Sequence, residues 1–103
     1  MTIRILPNEN KAGAPAGKLA EAELHFSDGP LNGLKLIGFT IWERRGSGGG
    51  RNVTFPARSY SVNGDRRSFA LLRPVADPAA QNSIREMILE AFAEYEERAA
   101  VAS

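Results

Sequence analysis

Lys18-Leu19-Ala20-Glu21-Ala22-Glu23-Leu24-His25-Phe26-Ser27 alternates without a break, with Ala20, Ala22, Leu24 and Phe26 on one parity and Glu21, Glu23, His25 and Ser27 on the other. A period of two belongs to a strand with one buried and one wet face. Upstream, Thr2 to Leu6 is a short β-prone run stopped by Pro7, and Asn8 to Gly17 is a loop of turn-forming residues. Downstream, Asp28-Gly29-Pro30 and Asn32-Gly33 punctuate the chain before Leu34 to Trp42. In that run Leu36, Ile37, Phe39, Ile41 and Trp42 occupy both parities, so both faces of this strand are expected to be covered.

Arg44 to Arg51 (RRGSGGGR) is too rich in glycine to hold a regular element and is expected to be a mobile hairpin tip. Asn52 to Pro56 resumes strand, Val62-Asn63-Gly64-Asp65 signals a tight turn, and Ser68 to Leu72 forms the fifth strand, closed by Arg73-Pro74. After Asp77-Pro78 the period changes. Ile84, Met87, Ile88, Ala91, Phe92 and Tyr95 make one helical stripe, with Glu86, Glu90, Glu94 and Glu97 outside it. Ser83 with Glu86 forms a capping-box pattern, Asp77 offers an earlier cap, and Ala99 to Ser103 is expected to fray. The expected fold is a single α+β domain: an antiparallel five-stranded sheet followed by one C-terminal amphipathic helix. Its core is expected from Leu24, Phe26, Ile37, Phe39, Ile41, Val53, Phe55, Leu71, Ile84, Ile88 and Phe92. One helix covers one face of a sheet, so the two-sided Leu34 to Trp42 run calls for a second copy of the chain, a homodimer.

The chain has 103 residues and no cysteine, which removes disulfides, thiolate nucleophiles and Cys-based zinc or iron–sulfur sites. His25 is the lone histidine, sits on the polar parity and has no nucleophile nearby in sequence, so it is read as a surface residue. The i, i+4 carboxylates of the helix mark a solvated face. No catalytic group, metal site, cofactor or small-molecule substrate is expected. The apolar runs fall far short of the roughly 20 residues that cross a bilayer, and no leader pattern follows Met1, so a soluble cytoplasmic protein is expected with no membrane partner.

The net charge of +1 conceals a polarity. Residues 1–41 are balanced, whereas residues 42–75 carry seven arginines against Glu43 and Asp65, a net of +5. The remainder carries Arg85 and Arg98 against six carboxylates, a net of −4. An arginine-only basic segment beside an acidic one points to an anionic partner, although strand-flanking arginines on a solvated surface produce the same count. Arg44, Arg45 and Arg51 flank the glycine run as in arginine-glycine segments that hold single strands. That run lacks the Gly-Lys-Ser/Thr ending of a P-loop. Phe55-Pro56-Ala57-Arg58-Ser59-Tyr60 and Asp65-Arg66-Arg67 place guanidinium groups among aromatic and hydroxyl groups, which suits phosphate contact and stacking and equally suits a protected edge strand.

The order of these pieces resembles the stage V sporulation protein G family, small bacterial septation and sporulation regulators. Residues 17–28 resemble the family's opening strand, Phe39-Thr40-Ile41 its isoleucine-arginine-valine strand, and Val53-Thr54-Phe55-Pro56-Ala57-Arg58 its strand ending in methionine-proline-serine-lysine-arginine. Arg73-Pro74-Val75 resembles its histidine-proline-isoleucine, and Arg85 to Tyr95 its final helix. The chain departs in having Ser59 after Arg58, where the family has a second basic residue, and in its longer glycine loop. The resemblance implies a dimeric DNA- and RNA-binding regulator of transcription, and it carries Arg58 over as a nucleic-acid contact. Arg66 and Arg67 are added on charge. The expected function is a homodimeric nucleic-acid-binding regulator that contacts phosphates through Arg58, Arg66, Arg67, Arg44, Arg45 and Arg51. The alternative is a protein-interaction or assembly module.

Overall fold

The structure is a computed structural model that describes residues 1–8, 16–43 and 50–102. Among these, β1 (Thr2–Pro7), β2 (Lys18–His25), β3 (Lys35–Glu43), β4 (Arg51–Thr54), β5 (Ala57–Val62) and β6 (Asp65–Ala70) precede the helix α1 (Ala79–Ala102), and a 3-10 turn spans Gly29–Leu31. The α+β class, the antiparallel pairing and the C-terminal helix are those expected. The single five-stranded sheet is not. β1 to β4 form a four-stranded sheet in sequence order, and β5 and β6 form a separate two-stranded ribbon.

The division has a local cause at Pro56, which offers no N–H to a ladder and is buried where the chain leaves β4. Beyond it, Asn63 (φ 51°) and Gly64 (φ 84°) both take the left-handed conformation that a tight two-residue hairpin turn requires. That turn pairs Val62 with Asp65 and propagates the ladder back to Ala57 opposite Ala70. β5 has no apolar parity to announce it, since the turn and not a core specifies its register. The expected fifth strand, Ser68 to Leu72, therefore begins earlier, ends at Ala70 and pairs within the ribbon.

Two irregularities in the β2–β3 ladder correct the reading of Leu34 to Trp42 as covered on both faces. Between the Ala22–Phe39 and Leu24–Leu36 pairs, β3 carries one residue more than β2. This bulge at Ile37-Gly38 flips the parity, so that Leu36, Phe39 and Ile41 all pack toward one core while Ile37 turns out to solvent, 57% exposed. Gly38 has φ +104°, and a Cβ built on it would stand 2.9 Å from Pro56 Cβ. The missing side chain is what admits the buried proline. A second bulge lies between Lys18 and Ala20, and it puts Leu19 and Ala20 together on the core side.

The core is Ala20, Ala22, Leu24, Phe39, Ile41 and Val53 from the sheet with Ile88 and Phe92 from α1. The two alanines on β2 leave room for α1, which rests against both edge strands, β1 and β4. Phe26, Phe55 and Ile84 lie at the core's margin, half-buried. Leu71, expected inside, is 57% exposed because it follows the ribbon and not the sheet. Asp77 caps α1, its Oδ1 accepting from the Ala79 amide at 2.9 Å. Ser83 is inside the helix and donates back to the Ala79 carbonyl at 3.0 Å, so the expected capping box does not form. The helix continues through the alanine-rich end to Ala102.

Candidate nucleic-acid interface

The ribbon register sorts the arginines of β5 and β6 by face. Arg58 pairs with Phe69 and Tyr60 with Arg67, so these four side chains share one face, while Ser59–Ser68 and Ser61–Arg66 share the other. The Tyr60 and Phe69 rings confirm the shared face, with centroids 5.7 Å apart and planes tilted by 52°. The Arg73 guanidinium lies 5.8 Å from the Phe69 centroid. All residues of β5 and β6 are exposed except Ala70, so among the described residues nothing covers either face. Among the described residues the salt bridges are Lys18–Glu21, His25–Glu23, Lys35–Glu23 and Arg51–Glu96, and Arg58, Arg66, Arg67 and Arg73 take part in none.

The structure thus brings Arg58 and Arg67 together and sets Arg66 on the reverse face. Arg51 is elsewhere. It sits at the start of β4, stacks 4.7 Å from the Phe92 centroid and forks onto Glu96, one arm donating at 2.8 Å. This pairing docks α1 on the sheet edge and commits the guanidinium. Arg44, Arg45 and the glycine run 46–49 lie outside the described residues, as do 9–15 of the expected first loop. Phe55, read as part of the aromatic cluster, is half-buried against Phe39 at 5.1 Å and lies under Arg85 at 5.3 Å. Phe69 and Arg73 were missing from the expected site, yet counting outward from Asn63-Gly64 places Phe69 opposite Arg58.

The outer face of the four-stranded sheet is polar. Trp42 Nε1 donates to Thr54 Oγ1 at 2.8 Å. His25 Nε2 donates to Glu23 Oε1 at 2.9 Å and Lys35 Nζ approaches the same carboxylate at 3.4 Å. The His25 hydrogen bond, against some opposing desolvation and helped by Lys35, lowers the Glu23 pKa below its ordinary 4.5. At the ribbon's root a cavity of about 370 Å³ opens, lined by Phe26, Leu31, Phe55, Leu72, Arg73 and Ile84 among others. Leu71 and Val75, both exposed, flank the lining residues Leu72, Arg73 and Pro74.

Among the described residues no helix is long and apolar enough to cross a membrane, and no group of three or more His, Asp or Glu side chains is placed to hold a metal ion. Compared with models of protein families, with curated proteins and with solved structures, the chain matches none.

Proposed function

We propose that this chain is a nucleic-acid-binding regulator that works as a homodimer and holds phosphates with the β5–β6 ribbon. One observation carries the reading: Arg58 and Arg67 stand on one exposed face beside two aromatic rings, with no carboxylate paired to either guanidinium among the described residues. Unpaired arginines on a surface forgo the modest gain of ion pairing, and their planar forks match phosphate oxygens. A two-stranded ribbon is also an element that nucleic-acid grooves admit. The net +5 of residues 42–75 supplies long-range attraction. The resemblance of the motif order to the stage V sporulation protein G regulators supports the same class and a role in gene regulation.

The apolar surface around the ribbon's root, with Leu31, Leu71 and Val75 exposed, supports association with a second copy and equally favours the assembly-module reading. Fluorescence anisotropy with labelled oligonucleotides at two salt concentrations separates the two. Nucleic-acid binding predicts affinity that falls steeply with salt, and a slope reduced by roughly one counterion per lost contact in Arg58→Ala/Arg67→Ala. Absence of affinity at low salt would leave assembly as the function.

A further inference from the structure

Register on the ribbon does more than collect charge. Tyr60 and Phe69 occupy one diagonal of a four-residue tile and Arg58 and Arg67 the other, because Arg58 is opposite Phe69 and Tyr60 opposite Arg67. Neighbours on such a tile stand about 5 Å apart across the strands and about 7 Å apart along them, so each ring has a cation on two sides. The rings remain 42% (Tyr60) and 38% (Phe69) exposed, and their planes are tilted by 52°. Packed hairpin rings normally bury apolar area under a second layer, and no such layer lies over β5 and β6 among the described residues, where every strand residue but Ala70 is exposed.

From this alternation we infer that the ribbon's aromatic face takes single-stranded DNA or RNA, stacking unpaired bases on Tyr60 and Phe69 while Arg58 and Arg67 hold the flanking phosphates. The inference rests on the nucleic-acid reading above and narrows it. Paired bases in a duplex bury their faces against each other and offer an exposed ring nothing to stack on, whereas unpaired bases present a π-face whatever their identity. A site that served duplex phosphates alone would need the arginines and not the rings between them. Arg73, against Phe69, extends the stacking surface toward the ribbon's root. The serine-lined reverse face, with Arg66, offers phosphate contact without stacking.

The test compares three labelled probes of equal length: a 12-mer of thymidylate, an abasic deoxyribose-phosphate 12-mer and a 12-base-pair duplex. The thymidylate strand is expected to bind at least about tenfold more tightly than the abasic strand, the fold expected when stacking is added to phosphate contact. Tyr60→Leu/Phe69→Leu is expected to fall to the abasic level with its salt dependence unchanged. Equal affinity of wild-type protein for thymidylate and abasic strands overturns the stacking inference while the phosphate-binding proposal stands, and this comparison needs no variant to fold. Tighter binding of the duplex, or a thymidylate preference that survives the double substitution, also overturns it. Binding to none of the three probes overturns the nucleic-acid reading itself.

Discussion

Gly38→Ala tests how the ribbon is mounted on the sheet. At φ +104° an alanine carries conformational strain of about 1–2 kcal/mol, as L-residues do in left-handed backbone. Its Cβ would also stand 2.9 Å from Pro56 Cβ, a contact that must open by moving a buried proline. Overpacking of this kind adds roughly 1–3 kcal/mol. The total is about 3 kcal/mol, and at roughly 5 °C per kcal/mol for a domain of this size the expected fall in Tm is about 15 °C. Gly33→Ala is the control, since Gly33 has φ +88° and nothing within 4 Å of its built Cβ. That variant bears the strain alone, about 1–2 kcal/mol. Thermal unfolding followed by circular dichroism reads both. Equal shifts for the two variants would refute the Pro56 contact as the reason for glycine at position 38.

Three further outcomes are expected. Arg51→Ala should lower stability by about 1 kcal/mol in urea unfolding, the sum of a part-exposed ion pair to Glu96 and stacking on Phe92, while leaving oligonucleotide affinity far less changed than Arg58→Ala does. Glu23 has its folded pKa depressed below 4.5, so it contributes stability above that value which is lost as pH falls through the lowered one. The stability advantage of wild type over Glu23→Gln in urea melts should accordingly shrink as pH falls from about 4.5 through the lowered value. Sedimentation at tens of micromolar should show a dimer, and a monomer at that concentration removes the homodimer from the proposal.

The strand β2 was legible because Ala20, Ala22 and Leu24 alternate against charged neighbours, and the helix because Ile84, Ile88 and Phe92 repeat at helical spacing, whereas the division into a four-stranded sheet and a ribbon was not. The bulge was not. An extra residue in a ladder changes which parity faces inward, and from sequence alone Leu36, Phe39 and Ile41 look like two faces where the fold makes one. Gly38 was the available signal, since an isolated glycine within a strand often marks a bulge or a close approach. β5 was hidden for a different reason: Ala57-Arg58-Ser59-Tyr60-Ser61-Val62 buries nothing, so burial periodicity cannot reveal it. Its presence follows from the Asn63-Gly64 turn, which places every residue of the ribbon by counting. Arg58 was identified by the resemblance and Arg67 by charge, but their shared face was visible only through that register. Arg51 shows the limit of charge counting, because its sequence neighbours give no sign of Glu96, which α1 brings alongside.

The most direct measurement is a backbone amide chemical-shift titration of isotope-labelled protein with a short single-stranded oligonucleotide at low salt. Binding by the ribbon predicts shifts concentrated at Arg58, Tyr60, Arg67, Phe69 and Arg73, with β1 to β3 unmoved. Shifts centred instead on the polar sheet face around Glu23, His25 and Lys35, or no shifts at any residue, would contradict it.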